Sequence, residues 1–255
     1  MCPWQDVDHQ SGLRHWQGRA LVVGAGGIGK ALLNELALRA PGLECFAGQR
    51  HLPASYQSAG GWQPLALDLA SDASLAALSA ALAGGPPLRL VINTAGLLHG
   101  EGIQPEKRLA HLNRAALERS FAVNAFGPVL LAQALEQLLP RDQPCHFASL
   151  SARVGSIADN HLGGWYSYRA AKAAQNQLLR TLALEWRRRL PLCCVSLLHP
   201  GTTATPLSAP FQAGVPAEKL FSPERSARQL LTVLEGLGPE LSGGFWAWDG
   251  TAIPW

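Results

Sequence analysis

Short apolar runs alternate with helical segments along nearly all of the 255-residue chain. A chain with this rhythm folds as a parallel sheet covered on both faces, because parallel neighbours need a crossover, usually helical, between them. Ala20–Val23, Leu43–Gly48, Pro64–Leu67, Leu88–Asn93, Cys145–Leu150 and Leu192–Leu198 read as strands, and Gly244–Trp248 closes the sheet as a seventh. The helix after the first strand runs through Leu38 and stops at Pro41-Gly42. Others run from a Ser71 cap to about Ala83, from about Asn113 to Leu139, and from about Ser167 to Arg189. Ser222-Pro223-Glu224 opens the last with an N-cap and a proline at its first position. No repeat or linker interrupts the pattern. The expectation is one α/β domain over residues 19–255, three-layered and doubly wound, with residues 1–18 as a loose polar extension.

Composition narrows the class of function. Hydrophobic residues make up 47% and charged ones 15%, which suits a globule with a substantial core. A net charge of +3, with its cations scattered, does not suggest nucleic acid. The one basic run, Arg187–Arg189, sits where a helix ends and cations are favourable. No apolar run reaches the ~20 residues of a membrane span, and the first residues lack a signal peptide's basic and apolar regions. A cytoplasmic protein is expected. Five cysteines, an odd number without CxxC spacing, read as free buried thiols. Cys193 and Cys194 would point to opposite faces of a strand. The eight histidines show no ligand spacing, so no metal is expected.

Gly24-Ala25-Gly26-Gly27-Ile28-Gly29 follows the first strand and opens a helix. In that context GxGxxG lets backbone approach a pyrophosphate, while the helix N-terminus supplies N–H donors and partial positive charge. The end of the second strand, Gly48-Gln49-Arg50-His51, carries no acid to accept from a ribose 2′-hydroxyl. Arg50 has the fork geometry for a 2′-phosphate, which favours NADP(H) over NAD(H). Arg50 as a solvated loop residue, with Gln49 on a ribose hydroxyl, is the other reading. Asp68 either bonds an adenine amino group or caps the following helix. Asn93-Thr94-Ala95-Gly96 ends the fourth strand at the edge where open α/β sheets bind ligands, and suits close approach to a dinucleotide.

Tyr168 and Lys172 lie four residues apart and so share a helical face. A free phenol, with a pKa near 10, is a poor base at neutral pH, and a nearby ammonium brings it toward the working range. Tyr168 would then protonate a carbonyl oxygen or deprotonate an alcohol.

Taken with Asn124 in the long helix, a serine after the fifth strand and Pro200-Gly201 after the sixth, these features resemble the short-chain dehydrogenase/reductase family. The resemblance runs from Ala20 to the C-terminus. Ser151–Ile157, Gly163–Arg169, His199–Thr202 and the tail Trp248–Trp255 are similar to its C-factor and carbonyl-reductase-like branch. It implies a Rossmann-type sheet of about seven strands, with Tyr168 as acid/base. Lys172 would bind the nicotinamide ribose and depress the tyrosine pKa, and Asn124 would hold a relay water. A serine would donate to the substrate oxygen, and Thr202 and Thr205 would contact the carboxamide or phosphates. The cofactor set is then Gly24, Gly26, Gly27, Ile28, Gly29, Arg50, Asp68, Asn93, Ala95, Gly96, Tyr168, Lys172, Pro200, Gly201, Thr202 and Thr205.

Three departures stand out. Val23 replaces the threonine whose hydroxyl normally braces the glycine turn. Aligning on Gly155 puts Ala152 at the usual serine position, which leaves Ser151 as the candidate, with Ser149 and Ser156 behind it. The stretch from that serine to Tyr168 is longer than usual, so the loop bulges around Asp159-Asn160. Residues His199–Phe221 hold four prolines and no clean pattern, as a mobile flap would. Trp165 and Tyr166 either line the cleft or pack, and Trp246, Trp248 and Trp255 read as packing or subunit contacts. The expected activity is hydride transfer between NADP(H) and a small carbonyl or alcohol, in a homodimer or homotetramer. The rival is a dinucleotide-binding regulatory protein of C-factor type with little turnover.

Overall fold

The computed structural model describes residues 12–51, 61–100 and 102–255. Seven parallel strands form its sheet: β1 (Gly18–Val23), β2 (Leu43–Gln49), β3 (Gln63–Ala66), β4 (Leu88–Asn93), β5 (Cys145–Leu150), β6 (Cys193–His199) and β9 (Gly244–Ala247). Their order is β3-β2-β1-β4-β5-β6-β9. The order reverses between β1 and β4, so the connections leaving their carboxyl ends run to opposite faces of the sheet and open a crevice there.

Alternation along the strands builds two cores. Ala20 and Val22 face one side with α1 (Gly27–Arg39) and α6 (Pro223–Glu235), which contribute Leu32, Leu36, Leu230 and Leu234. Leu21 and Val23 face the other with α2 (Asp72–Ala81), α4 (Gly127–Leu135) and α5 (Tyr166–Arg189), which contribute Leu78, Leu135, Leu179 and Trp186. Cys193 and Cys194 divide between the two cores as adjacent strand residues must. Cys45, Cys145, Cys193 and Cys194 are free and buried, and Cys2 lies outside the described residues.

Helix ends follow local chemistry. Ser71 Oγ accepts from Ser74 N at 3.2 Å, Asn113 Oδ1 from Ala116 N at 2.8 Å, and Ser222 Oγ from Arg225 N at 3.1 Å.

Three expectations are revised. The helix expected over 113–139 is α3 (Arg114–Phe121), a π-helical turn (Ala122–Phe126) and α4, with Asn124 inside the turn. Its side chain causes no break in the apolar periodicity but is pulled toward the loop after β4, as described below. Segment 199–221 is not patternless: β7 (Thr202–Thr203) pairs with β8 (Leu220–Phe221), and two 3-10 turns lie between them. The described part of the N-terminal segment is docked rather than loose. Leu13 and Trp16 are buried, and Trp16 stacks on His146 and also carries the Arg89 guanidinium over its ring.

Candidate active site

The crevice at the β1/β4 reversal has a volume of about 500 Å³. Val23–Ile28 form its floor, Gly48–Arg50 and Leu67–Leu69 one end, Thr94–Leu97 and His99 one side, and Thr205–Leu207 its roof. Gly24 has φ +85°, and a Cβ there would lie 2.7 Å from Ala95 N, so only glycine fits. Gly29 lies in the first turn of α1 against Gly24 O rather than on the crevice wall, and allows the helix to pack against the turn. No side chain caps α1, whose N-terminus meets the crevice beside Gly26 and Gly27. The hydroxyl missing at Val23 is supplied from the other strand: Thr94 Oγ1 lies 2.9 Å from Val23 O and 2.7 Å from Gly24 O. Sequence reading missed this brace because donor and acceptors are 70 residues apart.

At the β2 end, Arg50 is exposed on the crevice wall beside Gln49, and its Nε donates to His51 Nε2 at 3.1 Å. Asp68 lines the same end, with Oδ1 accepting from Ala70 N at 2.9 Å, while Ser71 caps α2. Ala95 and Gly96 line the crevice. Asn93 does not: it is fully buried, donating to Ser149 Oγ at 2.9 Å and accepting from Ala95 N at 3.1 Å. Thr205 closes over the turn, with its methyl against Gly27. Pro200, Gly201 and Thr202 stand outside the crevice wall; Gly201 packs on Phe221 and Thr202 belongs to β7.

Tyr168 and Lys172 come together in the first turns of α5. Both are buried, with Lys172 Nζ 5.8 Å from the centre of the tyrosine ring. Nζ donates to Leu150 O and to Gln175 Oε1, each at 2.8 Å. Burial moves the two groups in opposite directions, raising the Tyr168 pKa above the usual phenol value and lowering that of Lys172 to about 7. Without a ligand, desolvation thus opposes the phenolate that the spacing alone suggested and keeps Tyr168 a neutral phenol.

Asn124 spends its side chain on the loop after β4. Oδ1 accepts from Leu97 N at 2.9 Å, and Nδ2 donates to Leu97 O at 2.7 Å and to Ser120 Oγ at 3.1 Å. The three candidate serines are all buried and engaged. Ser151 Oγ donates to Asn176 Oδ1 at 2.6 Å, Ser149 Oγ accepts from Asn93 and Gln175, and Ser156 Oγ accepts from Asp159 N at 3.1 Å. None lines the crevice, and the bond to Asn176 commits Ser151's proton inward.

Ring contacts link Tyr168 to the crevice. Trp165 packs edge-on against Tyr168 at 6.3 Å, Phe211 against Trp165 at 4.8 Å, and His99 against Phe211 at 6.1 Å. His99 Nε2 lies 3.1 Å from both Pro206 O and Leu207 O, so the segment after β6 is held over the site. Trp165 therefore packs against Tyr168 and Phe211, whereas Tyr166 is exposed. The start of α5 is held by Glu106, whose carboxylate accepts from Ser167 N at 3.2 Å and from the Ser167 hydroxyl. A buried anion at a helix N-terminus is favourable. Glu106, His99, Phe211, Gln175 and Asn176 were invisible to motif reading, since each acts through partners set by the fold.

Trp248 packs on Phe221 at 4.9 Å and Trp255 stacks on Phe245 at 5.8 Å, both within the chain. Among the described residues no group of His, Cys, Asp and Glu is arranged to hold a metal, and no helix is long and apolar enough to cross a membrane.

The similarities to known proteins agree with this geometry. Residues 19–215 match the family model described as short chain dehydrogenase. The chain is 36% identical over 170 residues to the C-signal protein of Myxococcus xanthus, covering 66% of this chain and 93% of that one. It is 33% identical over 240 residues to 1-hydroxy-2-glutathionyl-2-methyl-3-butene dehydrogenase of Rhodococcus sp. (strain AD45), covering 92% and 98% of the two chains. Among solved structures, NADPH-bound carbonyl reductase from chicken fatty liver superposes with a TM-score of 0.80 at 25% identity, over 94% of this chain and all (100%) of that one. The chain belongs to the short-chain dehydrogenase family, whose members bind a nicotinamide dinucleotide, and is an NAD(P)-dependent oxidoreductase.

Proposed function

We propose that the protein is an NADP(H)-dependent reductase of a small carbonyl compound, with Tyr168 donating the proton to the substrate oxygen. The observation that carries this reading is the buried pair Tyr168 and Lys172, with Trp165 packed against the tyrosine ring and Phe211 against Trp165. A phenol kept neutral by burial is a proton donor at neutral pH, which suits reduction better than alcohol oxidation. When bound, reduced nicotinamide supplies the hydride that goes to the carbonyl carbon. The amides of the glycine turn and the uncapped N-terminus of α1 would hold the pyrophosphate. Arg50 would pair with the 2′-phosphate, and Asp68 would lie at the adenine end. An ammonium has three donors, and Lys172 uses two on Leu150 O and Gln175 Oε1, leaving one for a ribose hydroxyl. Asn124 acts here by fixing the Leu97 loop beside the site. The catalytic role of Ser151 requires its bond to Asn176 to open; with that bond closed, Tyr168 is the donor to the oxygen. Trp165, Phe211 and Leu207 favour an apolar or aromatic substrate. The NADPH complex of the chicken carbonyl reductase and the dehydrogenase from Rhodococcus support this reading.

The similarity to C-signal favours a second reading, a regulatory dinucleotide-binding protein with little turnover. NADPH consumption by the purified protein across a panel of aldehydes and ketones separates the two. The enzyme reading expects turnover that drops about 10²–10⁴-fold in Tyr168→Phe while NADPH still binds. Tight NADPH binding without turnover on any carbonyl would establish the regulatory reading instead.

A further inference from the structure

We propose that Gln175 is a positioning residue for Lys172, its buried amide holding the ammonium at the end of β5 and tying it to the crevice wall. The proposal rests on the reading of Tyr168 and Lys172 as the reacting pair.

Gln175 lies one helical turn beyond Lys172 and is 0% exposed. Its Oε1 accepts from Lys172 Nζ at 2.8 Å, while Nε2 donates to Ser149 Oγ at 2.9 Å and to Leu150 O at 3.2 Å. Ser149 Oγ also accepts from Asn93 Nδ2 at 2.9 Å, and Asn93 Oδ1 accepts from Ala95 N at 3.1 Å. A continuous hydrogen-bonded thread therefore runs from Ala95, on the crevice, to the lysine ammonium. The amide can face only one way, since its flipped form would set an NH₂ against the ammonium and leave Ser149 and Leu150 O without that donor.

An ammonium so buried has lost most of its water, and the acceptors that replace it determine how readily it holds its proton near neutrality. Among the described residues no carboxylate takes that part. Asp159 pairs with Arg153, Glu106 is held by Ser167, and Glu136 pairs with Arg189. Arg169 spends its guanidinium on Gly164 O and Val154 O, while Arg114, Glu118 and Arg119 of α3 are exposed. His199, at the end of β6, is kept neutral by burial, and Tyr168 faces Lys172 as a phenol. Two neutral carbonyls, Leu150 O and Gln175 Oε1, thus carry the charge, and only the second belongs to a side chain.

The chain has four lysines, so ¹³Cε-labelled lysine resolves the Lys172 titration by NMR in the intact protein, assigned by its loss in Lys172→Gln. In Gln175→Leu and Gln175→Met the Lys172 pKa should fall by about one unit, and in Gln175→Glu it should rise, since the Ser149 hydroxyl can turn to donate to the carboxylate. The alkaline limb of kcat/KM for carbonyl reduction should move in the same directions, with about a tenfold loss at pH 8 in Gln175→Leu. If the apolar variants do not fold, the near-isosteric Gln175→Glu decides alone. An unchanged Lys172 titration in every folded variant would overturn the proposal. Because the titration needs no substrate, a wild-type protein without turnover would defeat the functional reading and leave this test standing.

Discussion

At the scale of single residues, the site depends on groups whose chemistry is altered by what surrounds them. Tyr168 is made a stronger holder of its proton by burial, and Lys172 a weaker one, so both sit nearer to neutrality than their sequence spacing implies. Arg50 differs, because it is exposed and its value lies in the fork geometry of its guanidinium. Replacing it by alanine should weaken NADPH binding by about tenfold or more, the worth of a charge-assisted phosphate contact, and leave NADH binding unchanged. Titration calorimetry with both dinucleotides checks this. Equal losses for the two would show that Arg50 supports the loop and does not read the 2′-phosphate. Thr94 shows that a role can move along the chain: with no hydroxyl at Val23, one just after β4 donates to Val23 O and Gly24 O at the glycine turn.

At the scale of elements, the π turn between α3 and α4 carries the most consequence. Five residues, Ala122–Phe126, are wound more widely than an α-helix, and Asn124 inside them makes three hydrogen bonds outside its own turn or to its neighbour Ser120. Asn124→Ala would remove the partners of the half-buried amide and carbonyl of Leu97. It should cost about 1–3 kcal/mol in a denaturant melt, as loss of such hydrogen bonds does. It should also loosen the Leu97–His99 loop, raising KM more than it lowers kcat. An unchanged melt would mean that the turn does not need this anchor. The segment after β6 is an element in its own right, held by β7 and β8 and by His99 against the carbonyls of Pro206 and Leu207.

For the whole molecule, His146 and His199 contribute to the response to acid. Burial lowers His146 and His199 to a pKa of about 4, from about 6.5 in the unfolded chain. Between these values the unfolded chain binds protons that the folded one refuses, so stability falls as pH drops from about 6.5 toward 4. Lys172 acts in the same sense at higher pH: with a folded pKa near 7 it adds stability as pH rises toward 10.5. Thermal melts across the acid range should show Tm declining below pH 6.5, with a shallower decline in His146→Phe, which keeps a ring against Trp16. A mutant curve parallel to that of the wild type would place the acid sensitivity elsewhere.

Much of this protein was written locally. Short apolar runs alternating with helical segments marked seven strands and most helix bounds, because the strands of a sheet covered on both faces are apolar throughout. β4 and β5 begin and end where the apolar runs do, at Leu88–Asn93 and Cys145–Leu150. The glycine turn and the Tyr168–Lys172 spacing were equally legible, since their chemistry needs only neighbours a few positions away. Tertiary structure alone decided what acts across distance. It brought Thr94 to the glycine turn, Glu106 to the start of α5, Asn176 to Ser151 and Gln175 under the lysine, and it bound the segment after β6 to His99 and Trp165. The physical reason is that a buried polar side chain takes its partner from whatever the packed layers bring within about 3 Å, and no period in the chain encodes that meeting.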